Sequence, residues 1–246
     1  MKMNVFKALA VSALFAITAQ AAIYPGNGNA SFGGPIGLGS LTLTDNGTTV
    51  FGTVNKGPNG FNDVLVLYVD SVAGGFADTS GFADGADGLR KAISGFDGAA
   101  NRSLLTFSAG FSPDYAIALG PASDNFGGLW QLANGGANSL NFISSVNLNP
   151  TGNNNSAAYT FSFNLSQIGL PLGGTFELFG TYTSNSGFRS GEALPGDDAG
   201  TPGWNPFLQT TFATYTSVVP EPSACALIGL GGLILLRRGR RRAVQS

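Results

Sequence analysis

Residues 158–165 alternate strictly between large apolar and small polar side chains. Tyr159, Phe161, Phe163 and Leu165 stand against Thr160, Ser162 and Asn164. Strand side chains point to opposite faces with a period of two, so this segment predicts one face on a core and one in water. A helix would scatter the same residues around its circumference. Phe176–Thr183 repeats the pattern with Phe176, Leu178, Gly180 and Tyr182. A chain built on such segments must bury a sheet face against a second layer.

The surrounding chain reads in the same way. Leu41–Thr44 alternates, Asp45-Asn46-Gly47 turns and Thr48–Phe51 resumes, which predicts a hairpin. Val64–Val69 is almost continuously apolar, as a central strand covered on both faces would be. Leu104–Phe107, Tyr115–Leu119, Phe126–Leu132 and Phe207–Tyr215 are further strand candidates. Leu89–Ser94 and Leu165–Ile168 are short enough to be helical turns. Asn149–Ser156 and the Gly-, Pro- and Asp-rich stretch Gly187–Asn205 read as loops. Gly75-Phe76-Ala77-Asp78 recurs as Gly81-Phe82-Ala83-Asp84, too short a repeat for a solenoid. Eight to ten strands at this spacing, in a chain with 37 glycines and only 11% charged residues, predict an all-β fold. The expected form is an antiparallel β-sandwich or jelly roll.

The two ends differ from this body. Lys2 and Lys7 precede an apolar stretch, Ala8–Thr18, and then the small residues Ala19-Gln20-Ala21. That order predicts a signal peptide over residues 1–21, cut by signal peptidase before Ala22 or Ile23. At the other end, Pro220-Glu221-Pro222 is followed by an apolar run, Ala224–Leu236, and then by Arg237, Arg238, Arg240, Arg241 and Arg242. The prolines stop any upstream helix from entering the run. The arginines favour the cytoplasmic side of a membrane. Thirteen helical residues reach about 20 Å, short of the ~30 Å hydrocarbon core. The tail therefore suits transient retention better than permanent spanning.

This tail resembles the sorting signal of PEP-CTERM proteins, which exosortases process in Gram-negative bacteria. The resemblance covers about the last 27 residues. It implies that Pro220, Glu221 and Pro222 form the box at or near which an exosortase cuts. It also implies that Ala224–Leu236 is the transmembrane part and that the arginines are its cytoplasmic stop. The expected organisation is a signal peptide (1–21), a β-sandwich domain (22–217) and a sorting tail (218–246). The expected route is export, brief residence in the inner membrane, then the cell surface or the exopolysaccharide matrix of a biofilm. In the body, Val64–Ser71 and Phe111–Leu119 faintly resemble the strands of DOMON and family-9 carbohydrate-binding β-sandwiches. That likeness implies a fold and carries no ligand motif.

Residues 23–219 hold five basic and thirteen acidic residues, a net charge of −8. Nucleic acid binding needs a basic footprint and is not expected. The chain has no histidine, and its only cysteine, Cys225, lies in the tail. A Ser-His-Asp triad, a cysteine nucleophile and the usual zinc sites are thereby excluded from the body. A carboxylate-pair glycosidase would not need those groups. The body's glutamates are Glu177 and Glu192, and the alternation turns Glu177 away from Phe176 and Leu178. Asp78, Asp84, Asp87 and Asp97 crowd one glycine-rich stretch near Asp70, and such oxygen-rich loops suit calcium. Asp-Gly pairs are also plain turn formers. Trp204, in a Gly/Pro loop, is the best placed aromatic for stacking on a sugar, with Trp130, Tyr182 and Tyr215 as further members. The functional expectation is a non-enzymatic structural or adhesive surface protein, with a carbohydrate-binding module as the alternative.

Overall fold

The structure, a computed structural model, describes residues 21–132, 139–196 and 200–219. The predicted signal peptide and the sorting tail from Pro220 onward lie outside the described residues. Thirteen strands, one α-helix and two 3-10 turns are formed among those described.

The first sheet has the order β1-β2-β3-β9 and is antiparallel throughout. It comprises β1 (Ala22–Pro25), β2 (Ser40–Asp45), β3 (Thr49–Asn55) and β9 (Ala158–Asn164). The β2–β3 turn is closed by Asp45 and Asn46, whose side chains accept the amides of Gly47, Thr48 and Thr49. The alternation in β9 puts Tyr159, Phe161 and Phe163 inside and leaves Thr160 and Asn164 exposed. Gly52, opposite Phe161, is required there. A Cβ would lie 2.2 Å from that ring.

The second sheet runs β11-β10-β4-β6-β7-β8. Its strands are β4 (Val64–Asp70), β6 (Tyr115–Gly120), β7 (Phe126–Gln131), β8 (Asn141–Ser145), β10 (Thr175–Thr183) and β11 (Arg189–Leu194). β13 (Ala213–Thr216) pairs with the first half of β10 and β11 with the second half. β5 (Leu105–Thr106) and β12 (Phe207–Leu208) form a separate parallel pair.

Leu41, Leu43, Val50 and Val54 of the first sheet share one core with Leu65, Leu67, Ile117 and Leu178 of the second. Val64, Val66, Tyr68 and Phe179, on the other face of the second sheet, enter a second core. The helix α1 (Gly88–Ser94) and the segment around Phe82, Leu105 and Phe107 cover it. This double coverage explains why β4 carries no polar alternation. The two halves of the Gly-Phe-Ala-Asp repeat meet there, with Phe76 edge-on to Phe82 at 5.3 Å.

Three strands escape the sequence reading. β1 and β8 are short, and β11 falls inside the stretch that reads as a loop. β11 is buried at all six positions although it contains Arg189, Ser190 and Glu192. Glu192, Ser190 and one nitrogen of Arg189 find partners within the fold, while Arg189 Nε and Nη2 have none among the described residues. Arg189 donates Nη1 to the hydroxyls of Thr181 (3.0 Å) and Thr183 (3.5 Å). The Phe207–Tyr215 candidate divides into β12 and β13, and the Leu104–Phe107 candidate shrinks to two residues.

Candidate functional site

A recess of about 320 Å³ opens where α1 meets the β7–β8 edge of the second sheet. Phe126 and Trp130 reach it from β7 and Phe142 from β8. Leu89 and Arg90 come from α1, with Asp87 and Asp124 from the preceding turns. β7 alternates Phe126, Gly128 and Trp130 on one face, while Leu129 enters the inter-sheet core. Gly128 lets the aromatic rings close in. A Cβ there would sit 2.6 Å from the Trp130 ring and 3.0 Å from that of Phe126. Trp130 and Phe142 are cross-strand partners beside a register shift, and their rings meet edge-on at 5.5 Å. Phe126 lies 6.1 Å from Phe142. Trp130 is only 3% exposed, whereas Phe126 and Phe142 are 36% and 44% exposed. The Trp130 Nε1 has no hydrogen-bond partner among the described residues.

The polar rim is anchored by local structure. Asp87 is the N-cap of α1 and accepts the Arg90 amide at 2.9 Å. The helix ends at Gly95, whose φ of 64° suits a residue without a Cβ. Arg90 Nε lies 3.6 Å from Asp87 Oδ2 and 3.7 Å from Asp84 Oδ2. Asp124 Oδ2 accepts the Ser123 hydroxyl at 2.6 Å. Chemically, the recess offers aromatic surface for an apolar ligand face and carboxylate oxygens for donors at its edge.

The four aspartates considered for calcium are spread over separate turns. Asp78 accepts the Ser80 amide, Asp84 the amides of Ala86 and Leu140, and Asp97 those of Ala99, Ala100 and Asn101. The backbone bonds, led by that from Ala99, hold the Asp97 carboxyl below its ordinary pKa. Asp84 and Asp87 meet only through Arg90. Among the described residues no three acidic side chains gather in a way that could hold a metal ion.

The predicted stacking aromatics are also dispersed. Trp204 is half-buried and edge-on to Phe188 at 5.6 Å. Tyr182 is core, and its hydroxyl accepts the Asp63 amide. Tyr215 is buried, and its hydroxyl donates to Asp45 at 2.5 Å. Of the four, Trp130 alone lines the recess. Sequence reasoning missed Phe142, Asp124 and Arg90. The alternation of aromatics with Gly127 and Gly128 in β7 was the one local signal available.

Glu177 and Asp70 are cross-strand partners beside an open depression. Burial raises the pKa of both. The Asp70 charge adds to the effect at Glu177, and Asp114 adds to it at Asp70. Asp70 accepts the Ser112 amide at 2.6 Å, which works the other way. Among the described residues that line this depression, Phe176 is the one aromatic. Compared with protein-family models, curated proteins and solved structures, the chain gives no significant match.

Proposed function

We propose that this is an exported, non-enzymatic adhesive protein of a bacterial cell surface, held in its exopolysaccharide matrix by the β7–β8 recess. The observation that carries this reading is the recess itself, with rings from two strands behind a rim of carboxylates. Amphipathic ligands with an apolar face and a hydroxyl edge match such a site, and sugar rings are of that kind. The two facing sheets with their shared core support a β-sandwich or jelly-roll description of the body.

The tail supplies the address. Signal peptidase removes residues 1–21, and an exosortase acts at or near Pro220, Glu221 and Pro222. The Ala224–Leu236 run and Arg237–Arg242 hold the chain at the inner membrane until then. Among the described residues no helix is long and apolar enough to cross a membrane. The protein recovered from cells should start at Ala22 or Ile23 and lack the arginines when weighed by mass spectrometry. Recovery of the intact Arg-rich tail would overturn the processing step and leave a simple anchor.

A further inference from the structure

We infer that the recess selects non-acidic pyranose units and rejects uronic acids. This rests on the polysaccharide reading above and adds the class of sugar. Two carboxylates, those of Asp87 and Asp124, line the recess beside one guanidinium, that of Arg90. Arg90 Nε is already flanked by Asp84 and Asp87 at 3.7 and 3.6 Å. Lys91, next in sequence, does not line the recess. The guanidinium is thus a brace for the rim, and the local balance is negative. An ionised carboxylate only accepts hydrogen bonds. It pairs with a sugar hydroxyl and is repelled by a uronate at these distances, well within a Debye length of ~8 Å. The body's overall charge of −8 acts in the same sense on a polyanion.

Asp124 is the specificity-determining residue. Its Oδ2 takes the Ser123 hydroxyl, while no donor to Oδ1 is found among the described residues. Gly88 makes this position possible. A Cβ at Gly88 would lie 2.5 Å from Asp124 Oδ1. The volume of about 320 Å³ stands at the small end of ligand sites, about 300–1,000 Å³, and suits a short sugar unit. Phe126 and Phe142, the exposed rings, supply the face against which its C–H groups pack.

The test is saturation-transfer NMR on the full chain as recovered after export. The probes are the methyl glycosides of glucose, mannose, galactose and glucosamine, against those of glucuronic and galacturonic acid. The non-acidic glycosides should give signals and the uronides should not. Asp124→Asn should weaken binding about tenfold, the effect of losing a hydrogen bond to a charged group. Phe142→Ala removes a ring that is 44% exposed, so the fold should survive while binding falls about three- to tenfold. Asp124→Lys should shift preference toward the uronides. Circular dichroism would check that each variant is folded. Uronide signals equal to or stronger than the others in the wild type would overturn the selectivity and leave the adhesive reading standing. Binding unchanged in both Asp124→Lys and Phe142→Ala would place the sugar elsewhere and overturn the site. Silence from every glycoside would sink both proposals.

Discussion

Glu192 offers the sharpest test of how this body is held together. It sits on β11 with 0% exposure. Its Oε1 accepts the amides of Phe32 (2.8 Å) and Gly34 (3.1 Å). Its Oε2 accepts those of Ile36 (3.0 Å) and Gly37 (3.1 Å). No cation lies within ion-pair distance of it among the described residues. One carboxylate thus pins the whole β1–β2 connection across 155–160 residues of sequence. The loop is shaped for this. Gly34 has a φ of 82°, and a Cβ on Gly37 would lie 2.0 Å from the Asn29 carbonyl.

Glu192→Ala strands four donors, three of them, on Gly34, Ile36 and Gly37, buried. Each buried unsatisfied donor costs about 1–3 kcal/mol. Water entering the vacated space recovers part of this, so the expected loss is about 3–5 kcal/mol, as for other broken buried charge networks. For a body of this size each kcal/mol moves the melting temperature by about 2–4 °C, which gives a drop of about 6–20 °C. Glu192→Gln keeps the shape but turns one acceptor into a donor facing two amides, and should lose about half as much. The assay is thermal melting by circular dichroism, joined to hydrogen exchange of residues 32–37, whose amides should lose protection. A Glu192→Ala variant melting within about 2 °C of the parent, with protection at 32–37 intact, would refute the reasoning.

Stability should also rise on mild acidification. Burial raises the pKa of Asp63, Asp70, Asp114 and Glu177 above their ordinary values near 4. The folded state therefore binds protons more tightly than the unfolded one, and this contribution grows as pH falls through the raised values. Asp97, with its lowered pKa, acts oppositely, and its contribution is lost as pH falls below the ordinary value. Melting temperatures from pH 7.5 to 3 should pass through a maximum on the acid side, flattened by Asp70→Asn; a steady fall from pH 7 to 4 would contradict this. Arg189, 2% exposed, leaves Nε and Nη2 without partners among the described residues. Arg189→Met should melt at or above the parent temperature, since removing a buried charge with unmet donors relieves its desolvation cost; a fall comparable to that of Glu192→Ala would show that the guanidinium is fully hydrogen-bonded in the fold.

The sequence exposes those strands whose burial is one-sided. β9 and β3 alternate because one face meets the core and the other meets water. β4 is legible for the opposite reason, since both faces are covered. β11 is illegible because Arg, Ser and Glu are read as solvent-seeking. Their partners, the hydroxyls on β10 and the amides of the β1–β2 loop, are supplied only by tertiary structure. The recess was hidden for a related reason. It draws on α1, the turn at Asp124 and two strands, so no short window contains it. Trp204 stood out in sequence by its Gly/Pro surroundings, yet the fold gives it Phe188 as a packing partner. The clustered aspartates mark turns, because an Asx side chain reaches the backbone amide two or three residues ahead.

The same chemistry answers how a loop-rich body holds its shape when the chain's one cysteine, Cys225, lies outside it. Disulfides are the usual device in loop-rich exported domains. Here buried carboxylates do the tying. Glu192 fixes the β1–β2 loop. Asp45, 3% exposed, collects the Gly47 amide, the Tyr215 hydroxyl and the Val218 amide, joining a hairpin turn to the last strand. Asp114, 8% exposed, takes the amides of Ser71 and Val72 where β4 ends. Charge-assisted bonds to amides are roughly twice as strong as neutral ones, and amide dipoles replace the cations that this base-poor body lacks. The arrangement also divides the acidic surplus by role. Glu192, Asp45 and Asp114 each accept two or more amides and are buried and structural. Asp124 lines the recess, and its Oδ1 has no donor among the described residues, which is the arrangement the proposed sugar hydroxyl requires.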